Sequence, residues 1–332
     1  MSGSARIGVV GAGAWGTALA QMLASDGREV LIWAREAELI DAINLRGGNP
    51  LYLPGAALNR AIRATGDLAD MARCEILLFV TPAQHLAATM RNLPSLPRDL
   101  VLCAKGIEAQ SGRLLHDLAA EIAPDSNIAV LSGPTFAHEV AAGLPTAVTL
   151  ACGGGDAQWR RLADAVARPN FRPYYSDDLI GAEIGGAVKN VLAIACGVVE
   201  GLGFGENARA ALIARGYAEM ERFGEALGAR RETLAGLCGL GDLVLTCSST
   251  ASRNFSLGKA LGEGADPQML MSDRRTVAEG AHTAPVLVEI ARREGVAMPI
   301  AQAVQSLLGG APARAIATDL LSRPLTAEGP AG

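Results

Sequence analysis

The residue best suited to chemistry in this sequence is Lys189, because of what surrounds it. It lies in Ala182-Glu183-Ile184-Gly185-Gly186-Ala187-Val188-Lys189-Asn190, a stretch with helical patterning. Two adjacent glycines cost a helix roughly 1 kcal/mol each relative to alanine, so something must offset them. Ala182, Gly185, Gly186, Lys189 and Ala193 recur at i, i+3 and i+4 spacing and share one face. That face is bare except for one lysine, and it admits close approach of a neighbouring layer or a ligand. Burial disfavours a charged ammonium, so such a lysine can titrate near neutrality and transfer protons. A lysine snorkelling out of a packed interface would give the same pattern.

A second cluster follows. Gly239-Leu240-Gly241-Asp242 is followed by Thr246-Cys247-Ser248-Ser249 and then Ser252-Arg253-Asn254. Ser252 reads as a helix N-cap, with Arg253 and Asn254 in the first turn beside free N–H groups. Arginine, hydroxyl, amide and helix terminus together suit a phosphate. A capped surface helix that begins with arginine is the alternative. Asp242 can hydrogen-bond a substrate hydroxyl, orient Lys189, or cap a turn.

Two apolar runs end in polar groups. The run 101–104 leads into Lys105-Gly106, and Val130-Leu131 leads into Ser132-Gly133-Pro134-Thr135. Open α/β sheets bind ligands beyond the carboxyl ends of their strands. Lys105 could therefore hold an anionic or carbonyl-bearing substrate, and the Gly133–Thr135 turn could aim N–H and hydroxyl groups at it. A solvated lysine and a plain strand-to-helix turn remain open readings.

The first apolar run enters Gly11-Ala12-Gly13-Ala14-Trp15-Gly16, and a helix opens there. Gly11 permits the tight turn, Gly13 lets backbone approach a pyrophosphate, and Gly16 allows close helix–strand packing. The helix N-terminus adds N–H groups for the phosphates. The second strand ends at Trp33-Ala34-Arg35, where NAD-preferring sites usually carry an acid. Arg35 could pair with the 2′-phosphate of NADPH. Glu36 follows at once, and a solvated Arg35 is the alternative.

These residues need a frame to hold them. Strand-like runs at 6–10, 29–33, 75–80, 100–103, 128–131 and 146–150 alternate with helical stretches at 14–27 and 36–46. Near-continuous apolar runs suit strands covered on both faces. From about Asp177, helical periodicity takes over, with Asp177 and Asp178 as N-cap candidates for a helix running toward Val199. Further helices read at 208–227, 254–261, 283–293, 299–308 and 312–321, with Pro299 and Pro312 in first-turn positions. The expected fold is α/β: an N-terminal Rossmann-like, doubly wound, mostly parallel sheet (residues 1–177) joined to an all-helical C-terminal domain (178–323). Residues 324–332 read as a fraying tail.

Composition narrows the function. The 332 residues are 50% hydrophobic with a net charge of −5, which calls for neither nucleic acid nor an anionic membrane. The mean hydropathy is +0.24, yet the apolar runs read as shorter than the roughly 20 residues of a membrane span. The N-terminus shows no export signal, so a cytoplasmic location is expected. The six cysteines form no C-x-x-C pair and no cluster with metal spacing, so they read as core residues and no metal is expected. The four histidines are scattered and read as surface or packing residues.

In this order the motifs resemble the bacterial NAD(P)-dependent glycerol-3-phosphate dehydrogenases over nearly the whole chain. The carriers are Gly11-Ala-Gly-Ala-Trp-Gly-Thr-Ala-Leu19, Tyr52-Leu53-Pro54-Gly55, Cys103-Ala-Lys-Gly-Ile-Glu108 and Leu131-Ser-Gly-Pro-Thr-Phe-Ala137. Gly185-Gly-Ala-Val-Lys-Asn190, Gly239-Leu-Gly-Asp-Leu-Val-Leu-Thr-Cys-Ser248, Ser252-Arg-Asn254 and Val277-Ala-Glu-Gly280 complete them. The resemblance implies interconversion of dihydroxyacetone phosphate and sn-glycerol 3-phosphate, a product that feeds phospholipid synthesis. It implies Lys189 as proton donor or acceptor. Substrate contacts would come from Lys105, Gly133, Thr135, Lys189, Asp242, Ser252, Arg253 and Asn254. Cofactor contacts would come from Ala14, Trp15, Arg35, Lys105, Ala137, Arg253, Val277 and Glu279, beside the glycines Gly11, Gly13 and Gly16. The cofactor would be NADPH or NADH, with Arg35 favouring NADPH. A homodimer is compatible with the resemblance, but no periodic patch specifies one.

Four positions depart from the family pattern: Ile184 and Val188 stand for leucine, Cys238 for a small residue, and Phe255 for a basic one. Only Phe255 bears on the anion site. A β-hydroxyacid dehydrogenase shares the two-domain plan, but its asparagine four positions after the lysine is Ala193 here. A nucleotide-sensing module without catalysis would need neither Lys189 nor Asp242.

Overall fold

The computed structural model describes residues 6–272 and 278–323. Its first part alternates β1 (Ile7–Val10), α1 (Ala14–Leu23), β2 (Val30–Trp33), α2 (Ala37–Arg46), β3 (Ile62–Thr65), β4 (Ile76–Phe79), α3 (Leu86–Arg91), β5 (Asp99–Leu102), α4 (Leu115–Ile122), β6 (Asn127–Ser132), α5 (Ala137–Ala141), β7 (Thr146–Cys152), α6 (Gly155–Val166) and β8 (Phe171–Ser176). The strands form one sheet in the order β3-β2-β1-β4-β5-β6-β7-β8. Neighbours run parallel except β6 and β7.

Successive side chains of a strand point to opposite faces, and both faces here are covered. On one face Val9, Ile32 and Leu78 pack with Leu19 of α1, Leu39 of α2 and Leu162 of α6. On the other, Val10, Phe79 and Leu102 pack with Leu86 of α3 and Leu115 of α4. The register aligns Val10 with Trp33 and Phe79, and Phe79 with Leu102. Gly11, Ala34, Val80 and Cys103 therefore leave the sheet along one edge.

The rest is helical: α7 (Leu179–Gly201), α8 (Gly205–Ala226), α9 (Arg231–Leu234), a π-helical turn over Leu237–Gly241, α10 (Asp242–Cys247), α11 (Arg253–Gly262), α12 (Pro267–Ser272), α13 (Glu279–Arg293), α14 (Pro299–Leu308) and α15 (Ala313–Leu321). The axis is α7, onto which α8, α10, α11, α13 and α14 pack. A β-carbon on Gly197 would collide with Phe255 O, and one on Gly258 with Ile194 O, so α7 and α11 touch backbone to backbone. Asp178 caps α7, accepting from the Gly181 N–H at 2.8 Å.

Several elements differ from the sequence reading. Two edge strands, β3 and β8, went unread: β3 interrupts its buried Ile62 and Ala64 with the exposed Arg63, and β8 carries Pro173 and exposed tyrosines. Helix α1 stops at Leu23 and a 3₁₀ turn takes over until Gly27 at φ +87°. Pro312 sits at the N-cap of α15, outside its first turn, whereas Pro299 does open α14. Helix α13 begins four residues before Thr283 and carries Pro285 inside it.

Helix α7 is also longer than the apolar run after Asn190 predicts. Helix α7 is long and apolar enough to cross a membrane, because Glu183 and Lys189 interrupt its hydropathy without ending the helix. Its most apolar window is 94% buried inside the protein, which makes it a core helix. All six cysteines are buried and unpaired. The tail 324–332 lies outside the described residues.

Candidate active site

The glycine turn is shaped for a diphosphate. Gly13 is the N-cap of α1, no side chain caps that helix, and a β-carbon on Gly13 would meet nothing within 4 Å. Its bare backbone and the first N–H groups of α1 thus face open space. Gly11 has φ +119°, and a β-carbon on Gly16 would collide with its carbonyl. These residues fit a dinucleotide. Ala137, the first residue of α5, packs in the same apolar cluster as Ala14 and Trp15. The buried Trp15 Nε1 has no hydrogen-bond partner among the described residues. Arg35 follows β2 with a side chain 77% exposed, paired to Glu36 at 3.1 Å.

Further along the same edge, two lysines share one carboxylate. Lys189 Nζ donates to Asp242 Oδ1 at 2.7 Å and to Thr246 Oγ1 at 2.8 Å. Lys105 Nζ donates to Asp242 Oδ2 at 2.7 Å, Gly133 O at 3.0 Å and Thr135 Oγ1 at 3.3 Å. Asp242 is fully buried and Lys189 only 5% exposed. Burial pushes the Lys189 ammonium down to about 8; Asp242 opposes this and Lys105 reinforces it.

The bare face of α7 explains the meeting. A β-carbon on Gly185 would strike the backbone of Cys238, and one on Gly186 would lie 3.0 Å from Ser132 Oγ and 3.4 Å from Lys105 Cγ. The π-helical turn and the strand ends can therefore both close on the lysine helix. Gly133 has φ +153° and no room for a β-carbon beside Val148, so that turn also needs glycine. Glu183, one and two-thirds turns before Lys189, accepts the His116 N–H at 2.9 Å and meets its Nδ1 at 2.7 Å, tying α7 to α4.

At the other end of the site, Ser252 Oγ caps α11, accepting from Phe255 N at 3.3 Å. The Asn254 amide is engaged: Nδ2 donates to Asn190 Oδ1 at 2.9 Å, and Oδ1 accepts from Gly280 N at 2.9 Å. What α11 presents outward is Arg253 and its first N–H groups. Phe255 is buried in the helical core, so its departure from the family pattern removes no charge from the site. Glu279, the first residue of α13, is partly buried. Burial raises its pKa, against the pull of Arg253, Lys105 and Lys189. Val277 lies outside the described residues.

From sequence Thr246 belongs to the cluster after Asp242 but has no assigned role, and Asn190 has none either. Thr246 stands four positions after Asp242 on one helix, a spacing that would have found it. Asn190 gains its place through tertiary contacts, accepting from Asn254 Nδ2 of α11 at 2.9 Å and donating to Lys105 O at 3.5 Å.

Family models match both parts of the chain. The model described as the NAD-dependent glycerol-3-phosphate dehydrogenase N-terminus matches residues 6–158, and the corresponding C-terminus model matches 178–317. The chain belongs to the NAD-dependent glycerol-3-phosphate dehydrogenase family. The glycerol-3-phosphate dehydrogenase [NAD(P)+] of Erythrobacter litoralis is 69% identical over 325 residues, 98% of each chain. That of Novosphingobium aromaticivorans is 70% identical over the same length and shares. Among solved structures, the glycerol-3-phosphate dehydrogenase of Coxiella burnetii superposes with a TM-score of 0.90 at 37% identity, over 96% of this chain and 99% of its own. Family membership carries NAD or NADP use with it.

Proposed function

We propose that this chain reduces dihydroxyacetone phosphate to sn-glycerol 3-phosphate, reversibly, with Lys189 moving the proton. The single observation that carries the reading is the buried Lys189–Asp242–Lys105 bridge beside a glycine turn fit for a dinucleotide. A reduced nicotinamide cofactor supplies the hydride when bound. Lys189 gives its proton to the carbonyl oxygen as that oxygen gains charge. Thr246 and Asp242 occupy two of its three N–H donors and leave the third for the substrate. Lys105 adds positive charge beside the same oxygen. Arg253 and the first turn of α11 hold the phosphate. Ser252 acts by capping that turn and Asn254 by tying it to α7 and α13, because their side chains are already engaged there. Remote phosphate binding then fixes the geometry at the carbonyl carbon.

In this reading residues 1–177 bind cofactor and 178–323 carry the substrate end, with Glu279 and Ala137 near the cofactor. Arg35 makes NADPH the preferred cofactor. A cytoplasmic homodimer feeding phospholipid synthesis is the setting the family resemblance implies. Steady-state rates with dihydroxyacetone phosphate and unphosphorylated dihydroxyacetone test the reading. A large preference for the phosphorylated ketone is expected, and comparable kcat/KM values would sink it.

A further inference from the structure

The motif Tyr52-Leu53-Pro54-Gly55 has no part in the chemistry above, yet the structure gives it a destination. Asn49 Nδ2 donates to Ala12 O at 2.9 Å and Thr17 Oγ1 at 2.8 Å, and Asn49 Oδ1 accepts from Tyr52 N at 3.0 Å. This pins the loop to the glycine turn. The Tyr52 hydroxyl then reaches Glu36 Oε1 at 3.4 Å, the same oxygen that takes Arg35 Nη2 at 3.1 Å. Glu36 occupies the N-cap of α2, but its side chain caps nothing there. Its carboxylate instead meets Arg35, two residues past the end of β2, the strand end where a dinucleotide ribose belongs. The Glu36 side chain is 26% exposed and that of Arg35 is 77% exposed. The acid is held while the cation is free to swing.

We propose that Glu36 sets the balance between NADH and NADPH, serving NADH directly and restraining Arg35 from NADPH. This rests on the cofactor reading above. With NADH, the carboxylate accepts the ribose 2′-hydroxyl, and Arg35 stays paired to it. With NADPH, the 2′-phosphate repels the carboxylate and must draw Arg35 off Glu36 before pairing with it. An exposed ion pair of this kind is weak, so each cofactor is affected by roughly 3- to 10-fold, in opposite directions.

The test is equilibrium titration of the purified chain, without substrate, following NADH and NADPH fluorescence. Glu36→Gln should lower the Kd for NADPH and raise that for NADH. The loss for NADH should persist in the Arg35→Ala background, because it comes from the carboxylate itself. Parallel shifts of both cofactors in Glu36→Gln, or no shift of either, overturn the proposal. The underlying reading fails separately, and takes the proposal with it, if the natural chain binds neither cofactor or if Arg35→Ala leaves the NADPH:NADH ratio unchanged.

Discussion

Lys189 and Asp242 meet at 2.7 Å in a space nearly closed to solvent, the carboxylate at 0% exposure and the lysine side chain at 7%. A buried pair of this kind contributes little net stability, because desolvation offsets the attraction. Its effect is on protonation. Burial and Lys105 both drive the Lys189 proton off, and Asp242 retains enough of it for acid catalysis near neutrality.

Asp242→Asn should therefore drive the Lys189 pKa below its present value of about 8. Reduction would then decline at a lower pH, and kcat at pH 7.5 should fall on the order of 100-fold. Leaving two buried cations without their anion should also destabilise the fold by about 3–5 kcal/mol. The pH profile of kcat separates the two effects. An alkaline limb that does not move in Asp242→Asn would remove Asp242 from the proton chemistry.

The same pKa fixes the profile of the natural chain. Reduction needs the ammonium, so its rate should fall as pH rises through about 8, while oxidation should rise through the same point. Lys189→Ala should lower turnover by roughly 100-fold or more while cofactor binding at the distant glycine turn persists. Lys189→Arg should not rescue it, since arginine does not release its proton. Lys189 is buried, so Lys189→Ala should also lower Tm. A folded Lys189→Ala chain with near-normal kcat would shift the proton role to Lys105.

The repeat of strand, glycine turn and helix was legible because each signal is local. The glycine turn needs three residues in one stretch, and the N-caps Asp178 and Ser252 lie within three residues of their targets. Of the gathering of Lys105, Lys189 and Asp242, only the orienting of Lys189 by Asp242 was legible, as one of three readings of that acid, since the partners lie 137 and 53 residues apart. Asn254 shows where local reading ends. Its first-turn position suggested a phosphate contact, but Asn190 and Gly280 claim its amide through packing that no spacing encodes. Edge strand β8 escaped because Pro173 and two exposed tyrosines mask the pattern of a covered strand.

Glu219 predicts a pH dependence of stability unrelated to catalysis. It is 2% exposed on α8 and accepts the N–H groups of Ile300 at 2.8 Å and Ala301 at 3.4 Å, serving as a cap for α14 from another helix. Burial pushes its carboxyl up from 4.5 to about 7, against those two hydrogen bonds. A raised carboxyl means the folded chain binds the proton more tightly. Stability should therefore fall as pH rises between about 4.5 and about 7. This single group contributes on the order of 3 kcal/mol across that window. Glu219→Gln should flatten that part of the curve in urea unfolding at pH 5 and pH 7.5. An unchanged difference between the two pH values would assign the dependence elsewhere.

Gly258→Ala tests whether the contact of α7 with α11 positions the phosphate end of the site. A β-carbon at this position would collide with Ile194 O, a backbone atom that cannot rotate away. The two helices must separate, and overpacking of this kind costs about 1–3 kcal/mol. Arg253 opens α11 five residues before Gly258, while Lys189 sits on α7 five residues before Ile194. Separation should thus move the guanidinium away from the lysine and disturb the Asn190–Asn254 bond. KM for dihydroxyacetone phosphate should rise more than kcat falls, and NADPH affinity should stay near that of the natural chain, because the glycine turn lies on the sheet. Activity on unphosphorylated dihydroxyacetone gives the control, since that ketone has no phosphate for Arg253 to hold. Equal losses on both ketones would mean that the helix contact supports the whole fold and not the phosphate end in particular.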